Sequence, residues 1–231
     1  MNKNLEEAIK IYSIKSHQDF SNFLIAQSKD SLAALFSDLM TLYINDKNSS
    51  TIREFLTTIL AGYQHSSKKI GFNGYKQEVA DKPIYCEAKP NNILSEDFND
   101  YKAGIRKTNP QKLNGGGNFT DYTWARFSKD KKTRLNMLIS GFIDGKLIYI
   151  LEFPFSCKSF LQNIEKQLKS KFPKGDRKGY YLRSASFNYK NYIRAKIIKI
   201  VYIINKDEMD KYSAFIDKKF LDCLKGYIGE K

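Results

Sequence analysis

The sequence predicts one α/β (α+β) domain in which helices flank a central mixed β-sheet. Two observations predict this class: apolar residues recur at helical spacing in the first third of the chain, and short β-rich runs fill its middle. A final amphipathic segment adds helix after the strands, so the sheet is expected to lie between helical parts. With 231 residues and no internal repeat or clear linker, residues 1–231 are expected to form a single domain.

Residues 1–66 are the helical N-terminal part of this prediction. From Ser31 onward, the segment SLAALFSDLMTLYI repeats its apolar residues at intervals of three and four. Thr51 and Glu54 have the Thr-x-x-Glu spacing of a capping box in front of the apolar run FLTTILAGY. We therefore expect another helix there, with Thr51 as its N-cap and Glu54 as the capping partner.

Residues 67–165 are predicted to form the core of the sheet through two hairpins. The β-rich runs KIGFNGYKQEV and KPIYCEAKP flank a polar turn, and Pro90 is expected to end the second of these strands. RLNMLISGFI and KLIYILEFPF are joined by Asp144-Gly145, a dipeptide typical of a two-residue hairpin turn. Both pairs are therefore expected to be antiparallel.

Composition predicts the connections and the last part of the chain. Residues 91–118 are polar and rich in glycine and asparagine, which favours a long loop with a little helix in it. Ser159 and Gln162 are expected to cap the helix FLQNIEKQLKSKF. Residues 166–231 add basic strands, YYLRSASFNY and KIIKIVYIIN, and one C-terminal amphipathic helix over residues 207–228.

The chain carries a formal net charge of +14. Such a balance favours a polyanionic partner, either nucleic acid or an anionic membrane surface, although a lysine-rich composition alone would also produce it. Cys86, Cys157 and Cys223 form no Cys-x-x-Cys pair, which disfavours a zinc site or a disulfide framework and fits a reduced cytoplasmic setting. No apolar run reaches about 18 residues, so no membrane span is expected.

The stretch IYCEAKPNN, residues 84–92, follows an apolar run with an acid and a base. Residues two positions apart on a strand share a face, so Glu87 and Lys89 are expected to lie side by side. With a carboxylate from a neighbouring strand they would form a site for Mg²⁺, which prefers carboxylate, water and phosphate oxygens as ligands. The metal would activate a water molecule, and the lysine would orient that water or stabilise charge on a phosphate.

Glu87-Ala88-Lys89 at a strand end, with a strand that has acids near its turn and a helix before both, resembles the PD-(D/E)xK nuclease superfamily, which includes most type II restriction endonucleases. The resemblance covers roughly residues 50–165. It implies a restriction-endonuclease-like fold and a sequence-specific type II restriction endonuclease that hydrolyses DNA phosphodiester bonds with Mg²⁺, for which Mn²⁺ can substitute. The implied catalytic residues are Glu78, Glu87 and Lys89, with Glu78 and Glu87 as metal ligands.

The first metal-binding acid is less well defined than Glu87. The superfamily places an Asp somewhat further before the acid-x-Lys motif, whereas Glu78 stands nine residues before Glu87 and Asp81 falls in the predicted turn. Asn73 stands where some members have an Asp, and Glu54 could contribute from the preceding helix. Glu78 is preferred because a carboxylate binds Mg²⁺ better than an amide does, and the other three stay open as alternatives.

Two basic segments are predicted to contact double-stranded DNA, although the first could equally be a Gly-rich loop that leads into a basic helix and the second an edge strand protected by lysines. GGGNFTDYTWARFSKDKKTR and KGDRKGYYLRSASFNYKNYIRAK interleave cations, aromatic residues and small polar residues, which suits phosphate contacts and hydrogen bonds to base edges. The predicted DNA-binding residues are Asn118, Arg126, Lys131, Lys132, Arg183, Ser184, Ser186 and Asn188. A homodimer is expected, because a two-fold symmetric protein matches a palindromic site.

Three alternatives stay open. Asp144 and Glu152 repeat the acid–strand–acid arrangement, but no lysine follows Glu152 as Lys89 follows Glu87, so Glu152 is a secondary candidate. Glu87 and Lys89 could instead form a salt bridge on a solvated face. The charge and the aromatic residues alone would also fit a non-catalytic nucleic-acid-binding protein.

Overall fold

A computed structural model describes residues 3–45, 50–66, 72–77, 82–195 and 197–229 of the chain. The helices are α1 (Lys3–Ile14), α2 (His17–Ile25), α3 (Lys29–Asn45), α4 (Thr51–Leu60), α5 (Ser95–Lys102), α6 (Trp124–Lys132), α7 (Lys158–Lys171), α8 (Lys206–Lys211) and α9 (Lys218–Gly229). The strands are β1 (Gln64–His65), β2 (Gly74–Lys76), β3 (Ile84–Ile93), β4 (Gly117–Tyr122), β5 (Leu135–Ile143), β6 (Lys146–Pro154), β7 (Leu182–Phe187) and β8 (Lys199–Ile203). Short 3₁₀ turns lie at Tyr189–Asn191 and Ser213–Phe215.

The main sheet, within the described residues, has six strands in the order β1-β2-β3-β5-β6-β8. β3 and β5 run parallel, and the other neighbouring pairs in this order are antiparallel. The predicted mixed sheet flanked by helices is therefore confirmed, as are both hairpins, β2–β3 and β5–β6. Asp144 and Gly145 form the turn of the second hairpin with φ values of 49° and 78°, the left-handed conformation that such a turn requires.

A smaller sheet of β4 and β7 covers one face of the main sheet. Four of its residues, Phe119, Tyr122, Ala185 and Phe187, share one apolar core with Met137 of β5. Helices α7 and α9 contribute to the same core. This layer therefore buries the face of the main sheet on which Met137 lies.

Helices α1 and α4 cover the opposite face of the main sheet. Leu5 of α1 and Phe55 and Leu56 of α4 pack there against Phe142 of β5 and Ile150 of β6. None of the helices, as far as the chain is described, is both long and apolar enough to cross a bilayer. Both faces of the main sheet are thus covered by protein, and polar side chains on either face must find partners inside the fold.

β3 is longer than predicted, because it continues through Pro90 to Ile93. Ala88 donates its N–H on the β2 side, to the side chain of Asn73, and Pro90 has the same orientation two residues further on. β2 has ended by then, since its pairing with β3 stops at Cys86. Pro90 therefore needs no donor on that side, while β5 pairs with the other side of β3 as far as Ile93.

The predicted long loop over residues 91–118 is confirmed in part. Helix α5 is present, but β3 takes up the first residues of the segment and β4 the last. Gly115 has a φ of 61°, and a Cβ atom added there would lie 2.6 Å from the Tyr192 hydroxyl and 2.8 Å from the Phe220 ring. Both the backbone conformation and the close packing therefore require glycine at this position.

Two predicted helix caps are wrong. The N-cap of α4 is Ser50 rather than Thr51, and the Ser50 hydroxyl donates to the Glu54 carboxylate at 2.9 Å. Ser159 lies inside α7, where its hydroxyl donates to the Asn191 carbonyl at 2.6 Å. In the second case a partner far along the chain replaces the local capping bond that the sequence pattern suggested.

The predicted single helix over residues 207–228 is also wrong, because α8 and α9 are separate. Leu113 forms a parallel bridge with Ile216 and accepts the Asp217 N–H at 2.8 Å. This pairing holds Ile216 in an extended conformation, with φ −112° and ψ 140°, which ends the helical path. Asp217 then accepts the Phe220 N–H at 3.1 Å near the start of α9.

Candidate active site

Glu87 and Lys89 lie on the face of β3 that the β4–β7 sheet covers. The Lys89 Nζ atom is 2.7 Å from Glu87 Oε1, and Glu87 is only 6% exposed. Lys89 Nζ also lies 4.9 Å from the centre of the Phe119 ring, and a Cβ atom added to Gly117 would come within 2.9 Å of the Lys89 Cβ. The two residues share a face as predicted, and they form the salt bridge of the alternative interpretation, but this face is covered by β4 and is not solvated.

Arg126 of α6 brings a second cation to Glu87. Its Nη2 atom is 3.6 Å from Glu87 Oε1, and its guanidinium carbon is 5.7 Å from the centre of the Phe119 ring and 5.1 Å from that of Tyr122. Thr123 caps α6 by accepting the Arg126 N–H at 3.2 Å. Arg126, predicted as a DNA contact, is therefore positioned beside Glu87 by a capped helix and two aromatic rings.

The start of α6 is held by the basic turn that precedes β7. Asp176 in this turn accepts the N–H groups of Trp124 and Ala125, each at 2.7 Å. The Trp124 indole Nε1 donates to the Phe172 carbonyl at 3.0 Å. A carboxylate at a helix N-terminus satisfies free N–H groups and interacts favourably with the helix dipole. The position of α6, and of the cation that it carries, therefore depends on Asp176.

Asp130 of α6 is a site residue that the sequence analysis did not select. It is 4% exposed, and its Oδ2 atom accepts the Tyr122 hydroxyl at 2.7 Å and lies 3.8 Å from Arg126 Nε. Burial raises the pKa of Asp130 above its usual value of 3.8, although the Tyr122 hydrogen bond and Arg126 act in the opposite direction. Arg126 and Asp130 are four residues apart, as neighbours on one helix face are, and this spacing was the available signal.

The predicted first metal ligand, Glu78, and its alternative Asp81 lie outside the described residues. The other two alternatives have partners of their own. The side-chain oxygen of Asn73 accepts the Ala88 N–H at 2.7 Å, and the side-chain NH₂ group of Asn73 donates to Glu54 Oε2 at 3.0 Å. The first bond continues the pairing of β2 with β3, and the second ties Asn73 to helix α4, so both residues have structural roles here.

The carboxylates of the site are of the kind that binds a hard cation. The described residues contain no cluster of three or more His, Cys, Asp or Glu side chains that could hold a metal ion. They do contain Glu87 and Asp130, two buried carboxylates that share Arg126. Glu87 Oε2 has no hydrogen-bond partner among them. Because Mg²⁺ is usually held by one or two carboxylates, with water and phosphate oxygens completing its shell, the donor type at Glu87 fits this ion.

Three predicted DNA-binding residues come together on the exposed face of the β4–β7 sheet. Asn118 is in register with Ser186, and its amide donates to Ser184 Oγ at 3.1 Å. The hydroxyl oxygens of Ser184 and Ser186 are 3.2 Å apart. The alternate residues of the same strands, such as Phe119 and Ala185, enter the core. The small sheet therefore presents a polar row to solvent, and the pairing of β4 with β7 is what the sequence did not reveal.

The remaining predicted DNA contacts differ in their surroundings. Lys131 and Lys132 are exposed at the C-terminal end of α6, and Arg183 is exposed on β7. Asn188 instead uses its side-chain oxygen within the fold, where it accepts the Lys190 N–H at 3.1 Å and caps the 3₁₀ turn after β7. The three cations face solvent, whereas the Asn188 oxygen already has a partner.

Glu152 of β6 is a second buried carboxylate, on the opposite face of the main sheet. Leu138 of β5 is in register with both Ala88 and Glu152, so Glu152 shares the face of Ala88. Neighbouring residues on a strand point to opposite faces, which places Glu87 on the other side. The structure therefore does not bring Glu152, the secondary candidate, to Glu87.

Glu152 is surrounded by hydrogen-bond donors and cations. Its Oε1 atom accepts the Tyr63 hydroxyl at 2.5 Å and the Asn136 amide at 2.7 Å. The Nζ atoms of Lys76 and Lys199 lie 3.6 Å and 3.5 Å from its carboxylate oxygens. Burial acts to raise the pKa of Glu152, but these bonds and charges outweigh it and hold the pKa below its usual value of 4.5.

Comparison of this chain with protein-family models, with curated proteins and with solved structures finds no match. The chemistry of the site is therefore inferred from its own residues. Of the predicted catalytic residues, the described part of the chain brings Glu87 and Lys89 together, and it adds Arg126 and Asp130 to them.

Proposed function

We propose that the protein is a Mg²⁺-dependent DNA endonuclease of the type II restriction class, with a restriction-endonuclease-like fold of the PD-(D/E)xK superfamily. One observation carries the proposal: Glu87, a buried carboxylate, lies 2.7 Å from the ammonium group of Lys89 on an interior strand of the sheet. That strand follows β2 in a hairpin, and α4 precedes both, which is the arrangement on which the sequence resemblance rests. A net charge of +14 further supports an anionic substrate.

The charges around Glu87 suit a phosphodiester. Lys89 and Arg126 place two cations within 3.6 Å of its carboxylate, where carboxylates alone would repel a phosphate. In the proposed mechanism Lys89 orients the attacking water or stabilises the charge that develops on the phosphate. Arg126 binds a non-bridging phosphate oxygen, because its guanidinium presents several N–H donors in one plane.

Glu87 and Glu78 are the proposed metal ligands. Glu87 supplies a carboxylate oxygen of the type that Mg²⁺ prefers. When bound, Mg²⁺ or Mn²⁺ would supply Lewis-acid activation of the phosphate and of a water molecule. Asp130 shares Arg126 with Glu87 and is therefore the alternative second carboxylate.

The proposed substrate is double-stranded DNA whose outer contacts lie on the exposed face of β4 and β7 and at the end of α6, and whose scissile phosphate reaches Glu87 from the edge of this sheet, because β4 covers the pair. Asn118, Ser184 and Ser186 offer hydrogen-bonding groups for bases or phosphates. Lys131 and Lys132 offer charge for the phosphate backbone. A homodimer in the cytoplasm completes the proposal, since a palindromic site is matched by a two-fold symmetric protein.

The test is cleavage of supercoiled plasmid DNA by the purified protein in Mg²⁺, in Mn²⁺ and in excess chelator. We expect cutting with either metal and none in chelator. Lys89→Ala should lose cutting, while Lys169→Ala should keep it. Lys169 is a matched control, because it forms a 2.8 Å ion pair with Glu165 on the surface of α7. Persistent cutting in chelator, or full activity of Lys89→Ala, would contradict the proposal.

The same assay identifies the second carboxylate. Glu78→Ala should lose cutting if Glu78 is the ligand, and Asp130→Asn should then keep part of it. If Asp130→Asn lost cutting and Glu78→Ala stayed active, the site at Glu87 would stand, but Asp130 rather than Glu78 would be its second metal ligand. Asp81→Ala should retain most of the activity, because Asp81 is expected in the turn between the strands.

A non-catalytic nucleic-acid-binding protein is the second candidate function. The polar row of Asn118, Ser184 and Ser186 favours it, because such a row can contact nucleic acid without any chemistry. Both candidates should bind DNA with an affinity that falls steeply as salt rises, by counterion release. Only the nuclease should cut DNA, so salt-sensitive binding without cleavage in either metal would select the second candidate.

A further inference from the structure

An open cleft of 450 Å³ lies at the end of β3, where Asn91 to Ile93 contribute to its lining. Asn91 lines this cleft and shares the face of Lys89, because it stands two residues further along β3. Gly117 lines it as well, and its backbone lies against the stem of Lys89. A ligand bound in this cleft would therefore lie on the same side of β3 as Lys89, with Gly117 between the ligand and the lysine.

Amide side chains supply most of the polar lining. The polar residues that matter for recognition are Asn91, Asn92, Gln111, Lys112, Asn114 and Asn118. No carboxylate is among the lining residues in the described part of the chain. Each amide offers both hydrogen-bond donors and an acceptor. The cleft therefore suits an uncharged ring with mixed donors and acceptors, and Lys112 suits an anionic group attached to that ring.

Several of these amides have one atom in use and another without a partner among the described residues. Asn91 donates to the Gly116 carbonyl at 2.6 Å, and Asn118 donates to a serine hydroxyl of β7 at 3.1 Å, so the side-chain oxygen of each has no such partner. Asn92, the next residue on β3, points to the opposite face, where it accepts a backbone N–H from the β5–β6 turn at 3.2 Å. The NH₂ groups of Asn91 and Asn118 each have a second N–H besides the one in use, so each of these two amides offers an acceptor and a donor to a ligand.

The wall of the cleft is formed before any ligand binds. A Cβ atom added to Gly116 would lie 2.6 Å from both the Asn114 side-chain oxygen and the Phe187 carbonyl, and one added to Gly117 would lie 2.9 Å from the Lys89 Cβ. Only glycine allows this close approach of the loop to β3 and β7. The glycines therefore hold the amides in place, which lowers the entropic cost of binding.

We propose that this cleft binds one unstacked nucleobase of the DNA, adenine in preference to the others, and that Asn91 and Asn118 discriminate it. Asparagine side chains pair with adenine through a donor and an acceptor at once. The cleft volume of 450 Å³ lies within the range of small-molecule sites and is therefore large enough for a single base. This inference rests on the proposed nuclease function, because it takes the bound base to be part of the DNA substrate.

The experiment measures the affinity for four fluorescent oligonucleotides, each a single-stranded run of one base, in chelator so that cleavage plays no part. We expect oligo-dA to bind most tightly to the wild-type protein. Asn118→Ala and Asn91→Ala should lose this preference by roughly tenfold, the effect of one good amide–base pair. Asn99→Ala is the matched control, because Asn99 is an exposed asparagine on α5 away from the lining.

Each outcome decides between the two proposals. Equal affinity of the wild-type protein for all four oligonucleotides overturns the base site, whether or not plasmid DNA is cut. An equal loss for all four in Asn118→Ala also overturns it, because the residue would then be a general contact. A dA preference that Asn118→Ala removes, in a protein that never cuts plasmid DNA, supports the base site and overturns the nuclease alone. Thermal unfolding of Asn91→Ala and Asn118→Ala tests whether each variant is folded. If Asn91→Ala does not fold, the base preference of Asn118→Ala alone decides the test, because Asn118 lies on the exposed face.

Discussion

The two faces of the main sheet each bury one glutamate between two cations, but they bond it differently. Glu87 is 6% exposed and Glu152 is 4% exposed. On the α4 face, Glu152 accepts a tyrosine hydroxyl and an asparagine amide besides its two ammonium neighbours. On the β4 face, Glu87 accepts its hydrogen bond, as far as the chain is described, from Lys89, with Arg126 at 3.6 Å.

Burial alone therefore does not mark a functional carboxylate. A carboxylate oxygen that neutral donors bond is stabilised by the fold itself. Glu152 has that environment at Oε1, and we infer a structural role for it from these two donors. Its Oε2 is buried without a hydrogen-bond partner in the described part of the chain and has the Lys199 ammonium group 3.5 Å away. The charge of Glu87 is balanced by cations that would also bind a phosphate, so a substrate could enter the same network. The comparison predicts that changes at the two glutamates have opposite consequences for activity and stability.

The largest expected difference is in activity. Glu87→Ala and Lys89→Ala should each lower the rate of plasmid cleavage by about 100-fold or more, the usual effect of removing a group that stabilises the transition state. Glu152→Gln should leave the rate nearly unchanged, because Glu152 lies on the other face. DNA binding should survive in Lys89→Ala, since it removes one of many positive charges. An active Lys89→Ala beside an inactive Glu152→Gln would transfer the proposed site to the α4 face.

A smaller difference is expected in stability, with the opposite ranking. Glu152→Ala leaves the buried Tyr63 hydroxyl without its acceptor, while the Asn136 amide keeps the Tyr63 oxygen at 2.9 Å, and the loss should cost about 1–3 kcal/mol of unfolding free energy. Glu87→Ala should cost less, because the side chains of Lys89 and Arg126 are 21% and 40% exposed and can turn to water. Urea unfolding of the two variants measures this ranking, and a greater loss in Glu87→Ala would reverse the structural comparison.

The pH dependence of stability should have opposite signs at Glu152 and Asp130. The pKa of Glu152 is lowered in the fold, so its carboxylate contributes stability above its usual pKa of 4.5 and loses it as pH falls through the folded value. The pKa of Asp130 is raised, so its contribution is complete below 3.8 and is lost as pH rises through the folded value. Unfolding free energies across this acidic range should show wild type losing its advantage over Glu152→Gln on acidification. The unfolding free energy of Asp130→Asn should rise relative to that of wild type as pH rises. If each variant and wild type instead gave parallel curves of unfolding free energy against pH, the environments inferred for Glu152 and Asp130 would be contradicted.

The sequence predicted what depends on neighbours along the chain. The Asp144-Gly145 turn and the shared face of Glu87 and Lys89 follow from local backbone geometry, and both are confirmed. Glu78 lies outside the described residues, so its role stays a prediction. The resemblance carried by Glu87-Ala88-Lys89 likewise stays the basis of a proposal, because the sheet and its helices would suit other chemistry as well.

What the sequence could not predict depends on partners far apart in the chain. Ser159 donates to the carbonyl of Asn191, 32 residues away, instead of capping its own helix. The bond from the Asn73 amide to Glu54 spans 19 residues, and no local pattern indicates it. Asp130 is a different case, because its partners Tyr122 and Arg126 are close in the chain; the four-residue spacing from Arg126 was a local signal, but the burial of Asp130 is visible only in the fold.

The smallest effects are expected at the two tyrosines whose hydroxyls donate to buried carboxylates, Tyr122 to Asp130 and Tyr63 to Glu152. Tyr122→Phe and Tyr63→Phe each remove one hydroxyl that donates to a buried carboxylate, at 2.7 Å and 2.5 Å, and each should cost about 1 kcal/mol of stability. Tyr122→Phe should also slow cleavage slightly, because Asp130 then holds Arg126 less firmly beside Glu87. Tyr63→Phe should leave cleavage unchanged, since its partner lies on the other face. Cleavage rates and urea unfolding of both variants test this pairing. Equal rates in the two would mean that Asp130 does not position Arg126, and the candidate site would then be limited to Glu87, Lys89 and Arg126.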